Sequence, residues 1–230
     1  MPEAPAEQST RRVPSLRELR KLIQLTPHPP DHAVLLTFAK TGIGRGELCN
    51  LDLSDLSLTD SDIRSEYDLI RPDWAPEHRP VFRIRLPDIS REYPGRRERV
   101  SETIVPVGPE LMTALRRWLA IRPEGAATNA LFLSTSSNWG QRVSPPMIGK
   151  LLEQDATRAG LYRKGAGEMN NLTAYTLRRF FAENFPTDQQ IRDYILGRVS
   201  EPPVDLEQMV EQYIDRIYSL REIPSTEPTD

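Results

Sequence analysis

Cysteine and histidine are scarce in this sequence of 230 residues, which has one cysteine and three histidines. The single cysteine, Cys49, cannot form an internal disulfide, and so few histidines offer no clustered ligand spacing for a metal ion. Cys49 lies in an apolar segment with helical spacing, where a buried thiol is far more common than a nucleophile. We therefore expect no internal disulfide and no structural metal.

Long hydrophobic runs are also absent. No apolar run approaches the roughly 20 residues that a membrane helix needs, and the N-terminus has no charged-then-apolar signal segment. The ends, 1–14 and 222–230, are polar and rich in proline and acidic residues, which is typical of disordered segments. Since 38% of the residues are hydrophobic, the rest of the chain can form a core. We expect a cytoplasmic protein without membrane contact.

An excess of positive charge is absent as well, because 30 Lys and Arg face 33 Asp and Glu, for a net charge of −3. Nucleic-acid-binding domains usually carry a basic face, so composition argues mildly against DNA as a partner. The cations are nevertheless almost all arginines, since lysine occurs only at positions 21, 40, 150 and 164. Arginine is the better bidentate partner for phosphate, although genome base composition or adaptation to salt explains this bias equally well.

Apolar periodicity predicts a mostly helical domain over residues 15–221. Ser15 and Glu18 have the spacing of a capping box at the start of a first helix. Ser144 followed by Pro145 is a second start signal. Further helices are expected over 33–40, 111–119, 144–156, 176–184, 188–196 and 206–220.

Alternating apolar residues predict a small antiparallel sheet between the helical parts. Residues 81–86 and 103–107 are its expected strands, and Pro106 suits an edge position because proline cannot donate a ladder hydrogen bond. Residues 130–133 are expected to complete the sheet as a third strand. The segment 52–80 is predicted to be a long connection.

A glycine-rich motif between two apolar segments, residues 41–48, reads Thr-Gly-Ile-Gly-Arg-Gly-Glu-Leu. It closely resembles the first active-site motif of tyrosine recombinases, or phage integrases, which is usually Thr-Gly-hydrophobic-Arg-x-x-Glu-Leu. The resemblance covers about residues 15–218 and implies the family's catalytic-domain fold, an α+β fold that is mostly helical with a three-stranded antiparallel sheet. We expect no separate N-terminal core-binding domain, which many relatives have.

The resemblance implies a chemistry that needs neither cofactor nor metal. In this family a tyrosine attacks a DNA phosphodiester and forms a 3′-phosphotyrosyl bond. Two arginines, a histidine and a second histidine or tryptophan stabilise the extra negative charge, and a lysine on a β-hairpin protonates the leaving oxygen. Each such donor is worth about 10²–10³ in rate, by analogy with oxyanion-hole deletions.

Some of these positions are matched. In the second motif Arg178 corresponds to the second catalytic arginine, and Tyr175 stands at the usual histidine position, where it can donate one hydrogen bond. Arg198 replaces the histidine of a Leu-Gly-His motif, either to bind phosphate or merely to cap its helix. Tyr213 is the candidate nucleophile and Tyr218 competes with it, although tyrosines on an amphipathic terminal helix are more often packing residues.

Other positions are lost. Gly44 stands where the first catalytic arginine is expected, and the adjacent Arg45 is rotated by about 100° on a helix. Flanking glycines offer Arg45 a rescue by local rearrangement. The hairpin contains no lysine, and arginine is a poor proton donor because its pKa lies above about 12. Candidates for contact with DNA phosphate are Arg96, Arg97, Arg99 and Arg179.

Three hypotheses follow. The first is a DNA-binding protein of the tyrosine recombinase family that serves recombination or integration of a mobile element and is impaired in strand cleavage. It implies double-stranded DNA as partner, association with the nucleoid, and self-association on DNA through the C-terminal helix. The second is an active, divergent integrase that uses Tyr213, so enzymatic activity stays open. The third is a protein-interaction remnant that does not bind DNA.

Overall fold

The computed structural model describes residues 12–59, 61–86, 93, 99–136, 138–167, 169–185 and 188–221, with only the backbone for 61 and 62. The ends predicted to be disordered therefore lie outside the described residues, except for residues 12–14. In this short segment the Arg12 N–H donates to Met169 O at 2.8 Å, and Pro14 is buried. The packed part of the described chain thus begins before the first helix.

Helices make up most of the regular secondary structure in the described chain. They are α1 (Leu16–Gln24), α2 (Pro29–Thr41), α3 (Arg45–Cys49), α4 (Ser61–Glu66), α5 (Pro109–Leu119), α6 (Pro145–Ala159), α7 (Ala174–Asn184), α8 (Gln189–Ile195) and α9 (Leu206–Arg216), with a 3₁₀ turn at Leu53–Asp55. None of the helices in these described ranges is long and apolar enough to cross a bilayer.

Local start signals account for several helix boundaries. The predicted capping box is confirmed, since Ser15 N–H donates to Glu18 Oε2 at 2.8 Å and Glu18 N–H donates to Ser15 Oγ at 3.2 Å. The start of α6 is also confirmed, with Pro145 in the first turn after Ser144. Helix α2 begins four residues earlier than predicted, because two prolines fit a first turn, whose N–H groups have no helical acceptor.

The sheet has the order β1-β2-β3 and is antiparallel throughout, with β1 at Leu56–Ser57, β2 at Val81–Ile84 and β3 at Thr103–Pro106. The two predicted strands are confirmed, and Pro106 lies on an edge strand opposite Val81.

The predicted third strand over 130–133 is wrong. Those four residues are fully buried core residues, and only isolated bridges, Asp52 to Ala130 and Leu133 to Arg142, involve them. The third strand is β1, which lies within the supposed long connection 52–80 together with α4. Two residues are too few to show a period of two, so this strand has no sequence signal.

Helix α2 is the centre of the fold, where it packs between α5 and α7. Its residues from Ala33 to Thr41 are buried on every face, as expected for a helix that is apolar all round. Since the motif 41–48 follows directly, the core holds this motif in place.

Candidate functional site

The motif 41–48 forms the end of α2, a tight turn and the first turn of α3. Gly42 ends α2 in the left-handed conformation with φ of 63°, and a Cβ there would lie 2.7 Å from the Phe181 ring. The Gly44 N–H donates to Glu47 Oε2 at 2.7 Å, which caps α3. The motif is therefore built for close packing at Gly42 and for burial of the Glu47 carboxylate.

Glu47 is the anion of a buried cluster and is 4% exposed. Its Oε1 accepts a hydrogen bond from Arg99 Nε at 2.8 Å. Burial acts to raise the pKa of Glu47, but the Arg99 guanidinium, with smaller contributions from Gly44 and Arg178, keeps that pKa below its ordinary value. Glu47 is therefore an ionised carboxylate that joins the motif to the segment before β3.

Arg178 projects from α7 and joins two other segments. It is 7% exposed, and it donates from Nη1 to Gly42 O at 2.6 Å and from Nη2 to Leu196 O at 2.9 Å. Thr173 caps α7 and sets the position of this helix. The candidate second arginine is thus brought to the first motif by hydrogen bonds to two main-chain carbonyl groups.

Arg99 also lies in the cluster, and it contacts the turn 196–198 that follows α8. Besides its bond to Glu47, its Nη1 donates to Thr103 Oγ1, and its side chain lies against Gly197, where a Cβ would be 2.6 Å from Arg99 Nη1. The Val100 N–H donates to Gly197 O at 2.9 Å. Sequence reasoning named three arginines in this region, and the structure shows that Arg99 is buried at the site, whereas Arg96 and Arg97 lie outside the described residues.

Arg198 follows the same turn but faces outward. Its side chain is 49% exposed and its Nη1 lies 2.9 Å from Asp193 Oδ1. Burial acts to raise the pKa of Asp193, but hydrogen bonds from Arg192 and Arg198 lower it overall. Arg99, Arg178 and Arg198 therefore meet at the turn 196–198, the first two buried and the third at the surface.

Tyr213 is fully buried on α9, and its hydroxyl donates to Lys40 O at 2.6 Å. Burial, with a contribution from Glu110, raises the pKa of Tyr213 far above its ordinary value. Tyr218 lies just after α9, and its hydroxyl donates to Ala39 O. Both tyrosines are thus bonded to the last turn of α2, and neither phenol can readily lose its proton in this arrangement.

A second buried ion pair, missed at the sequence level, holds the chain after α9. Lys40 Nζ lies 2.6 Å from Glu110 Oε2, with side chains 3% and 14% exposed, and Lys40 also donates to Tyr218 O. Glu110 accepts from the N–H of Leu220 and of Arg221, each at 3.0 Å. The only signal in the sequence was a lysine at the end of an otherwise apolar helix.

The remaining predicted site residues, Arg45, Tyr175 and Arg179, lie nearer the surface than the buried cluster around Glu47. Arg45 is exposed, and its Nη1 lies 3.1 Å from the position of a Cβ on Gly149 in α6. Tyr175 is 41% exposed on α7. Arg179 on the same helix pairs with Glu183 at 2.6 Å. These positions follow from the rotation of neighbouring residues around a helix, which separates Arg45 from Glu47 and Arg179 from Arg178.

Gly197→Ala should test the close approach of Arg99, with Gly160→Ala as a matched control. Both glycines have positive φ, 72° and 77°, but a Cβ on Gly160 would meet nothing within 4 Å. We expect a loss of about 1–2 kcal/mol for Gly160→Ala from backbone strain alone, and roughly 1–2 kcal/mol more for Gly197→Ala from overpacking. Urea unfolding measures both, and equal losses would contradict the observed packing of Arg99 on Gly197.

No protein-family model matches the chain, but curated sequences and solved structures do. Tyrosine recombinase XerC of Thermodesulfovibrio yellowstonii is 28% identical over 196 residues, which cover 80% of this chain and 53% of the relative. The chain therefore spans about half the length of this curated relative.

Two solved structures are similar over most of the chain. The XerA recombinase superposes with a TM-score of 0.59 at 20% identity, covering 93% of this chain and 61% of that one. The Tn1549 transposon integrase in complex with transposon right end DNA has a TM-score of 0.58 at 16% identity, covering 91% and 63%. The predicted α+β fold, mostly helical with a three-stranded antiparallel sheet, is thus confirmed. In sequence the chain is thus similar to a tyrosine recombinase, and in fold it is similar to recombinases and integrases.

Proposed function

We propose that the chain is a double-stranded-DNA-binding protein that serves DNA recombination or the integration of a mobile element and is impaired in strand cleavage. Similarity in sequence to a tyrosine recombinase and in fold to recombinases and integrases supports the association with recombination. Structural neighbours include an integrase of a transposon with transposon end DNA and a lambda integrase dimer bound to a core site. Arg198, whose side chain is 49% exposed at the turn 196–198, supports contact with DNA phosphate despite the net negative charge of the chain.

The burial and hydrogen bonding of Tyr213 are the main support for the proposal of impaired cleavage. A nucleophilic tyrosine must reach a phosphate and lose its proton, whereas the Tyr213 hydroxyl is buried and donates to Lys40 O at 2.6 Å. Its raised pKa disfavours the phenolate further. Attack on DNA therefore requires that α9 leave its position in the core.

Missing donors support the same conclusion. Gly44 has no side chain at the position of the family's first arginine, and the sequence has no lysine between positions 41 and 149. A leaving 5′ oxygen would therefore lack the family's usual proton donor. Each absent donor lowers the rate by about 10²–10³, although such effects are not additive.

Self-association on DNA through α9 is part of the proposal. In this structure α9 packs its residues Met209, Val210 and Tyr213 into the core of its own chain. Exchange of α9 between copies would also have to break the hydrogen bonds that join Lys40 and Glu110 to the chain after α9. We therefore expect a monomer in the absence of DNA, which sedimentation at micromolar concentration can measure.

Binding to duplex DNA is tested by fluorescence anisotropy over a range of salt concentrations. We expect affinity that falls steeply and linearly on a logarithmic scale as salt rises, because phosphate contacts release counterions. Arg198→Gln should reduce the slope by about one phosphate contact, while the control Arg117→Gln, on the exposed face of α5, should not. Absence of binding even at low salt would favour the protein-interaction remnant.

Strand cleavage is tested with suicide DNA substrates that trap a covalent intermediate. We expect no adduct with the wild-type chain and no difference between it and Tyr213→Phe. Gly44→Arg restores the arginine that the family has at this position. If the loss of this arginine prevents cleavage, Gly44→Arg should form an adduct where the wild-type chain forms none. A wild-type adduct that disappears in Tyr213→Phe would instead support the second hypothesis, an active, divergent integrase. The presence of three arginines at the turn 196–198 favours that alternative.

A further inference from the structure

Arg99 has a buried donor without an acceptor. Its side chain is 1% exposed, Nε and Nη1 are bonded to Glu47 and Thr103, and Nη2 has no hydrogen-bond partner within the part of the chain that the structure describes. Buried donors in folded proteins are almost always satisfied, and an orphan is a sign of strain, a missing water or a missing ligand. Nη2 belongs to a cationic guanidinium group, so the ligand that suits it is a hydrogen-bond acceptor with negative charge.

The charge of Arg99 is only partly compensated. Its carboxylate partner, Glu47, is shared, because Glu47 also interacts with Arg178 and its second oxygen accepts from the Gly44 N–H. A buried cation whose counterion is shared is unfavourable unless a further anion or a set of hydrogen bonds completes its surroundings. The electrostatics therefore point to an anion, in agreement with the orphan Nη2.

The position of Arg99 relates this anion to the candidate site. Arg99 lies against Gly197, while Arg178 donates to the carbonyl of the preceding Leu196, so the two guanidinium groups flank one turn. Arg45, the alternative substitute for the arginine missing at position 44, is exposed and lies beside α6. A guanidinium fork matches the paired oxygens of a phosphate group.

We infer that Arg99 is a phosphate-binding residue that supplies, from the segment before β3, the guanidinium group missing at position 44. The anion is a phosphate group of the DNA backbone, and the inference in this respect rests on the proposed function. Because the Arg99 side chain is 1% exposed, the phosphate reaches Nη2 only when the residues that cover it move. Glu47 and Gly197 are the positioning residues, the first through its bond to Nε and the second through the space left by its missing side chain.

The test compares Arg99→Lys and Arg99→Gln with Arg122→Gln. Arg122 is the matched control because it is 8% exposed and donates to Ala130 O at 2.7 Å, at a separate place in the fold. Lysine keeps the charge beside Glu47 but lacks the fork, so Arg99→Lys serves even if Arg99→Gln fails to fold. The thermal midpoint of the full chain is measured at increasing concentrations of inorganic phosphate and at constant ionic strength, and the variants control for the general stabilisation by phosphate salts.

We expect a saturable rise of the midpoint in the wild type and in Arg122→Gln, as ligand binding to the folded state requires, and no rise in either Arg99 variant. Affinity of Arg99→Lys for duplex DNA should fall about ten- to hundredfold, the range for a lost charge-assisted hydrogen bond. A flat wild-type midpoint, a rise that persists in Arg99→Lys, or a loss also in Arg122→Gln would each overturn the inference.

Failure of the inference and failure of the proposed function are distinguishable. A chain that binds duplex DNA in a salt-dependent manner but shows no dependence on Arg99 retains the proposed function and loses the inference. A chain that binds phosphate through Arg99 but not duplex DNA retains the anion site, and the phosphate must then come from another source.

Discussion

Glu47→Ala is expected to lower the free energy of unfolding by about 3–5 kcal/mol, the usual cost of breaking a buried ion pair by removing one partner. Arg99 and Arg178 would remain buried beside an empty carboxylate site. The Gly44 N–H would lose its acceptor at 2.7 Å as well, so the start of α3 should loosen. Urea denaturation followed by far-UV circular dichroism measures the loss.

The control for this variant is Glu183→Ala. Glu183 also pairs with an arginine, at 2.6 Å, but its side chain is 48% exposed, and exposed pairs contribute about 0–1 kcal/mol. Alanine is well tolerated near the end of a helix, so the fold should be retained. Comparable losses in the two variants would show that burial of Glu47 does not determine its contribution.

Glu110→Gln is expected to have the next largest effect, a loss of about 3 kcal/mol, because it leaves the Lys40 ammonium group buried without a counterion. Glutamine still offers one oxygen to the N–H groups of residues 220 and 221, so the variant measures mainly the effect of removing the negative charge. The segment after α9 should become more accessible, and hydrogen exchange at residues 217–221 should increase.

The same carboxylate should make stability depend on pH. Burial acts to raise the pKa of Glu110, but Lys40, Ser219 and the Leu220 N–H together lower it to about 2 from an ordinary value of 4.5. A depressed pKa means that the stabilisation is complete above about pH 5 and is lost as the pH falls from there towards 2. The difference in unfolding free energy between wild type and Glu110→Gln should shrink over this window.

Glu211→Gln is the control for the pH profile, since Glu211 is 60% exposed on α9. Its profile should follow that of the wild type. A wild-type profile that is flat between pH 5 and 2, or one that Glu110→Gln leaves unchanged, would contradict the assigned role of Glu110.

Much of the fold was predictable because its signals are local. The Ser15–Glu18 capping box, the Ser144–Pro145 start and the apolar pattern that predicted a strand from residue 81 each lie within a few residues, and the cap, the helix start and the strand were all confirmed. The strand predicted at 130–133 failed because an apolar run shows that residues are buried but not whether they form a sheet ladder. Helix α9 ends at Arg216 rather than 220 because Lys40 and Glu110 bind the backbone beyond it.

The sequence by itself determined the family resemblance, the α+β class and the loss of familiar residues at Gly44 and in the hairpin, since these depend on residue identity and local order. Only the tertiary structure decided that Arg99, rather than Arg45, joins Arg178, and that the Tyr213 hydroxyl is buried against α2. Arg99 and Glu47 are 52 residues apart and Tyr213 and Lys40 are 173 apart. Contacts of that kind depend on how α2, α7, α9 and the sheet pack together, which no local pattern encodes.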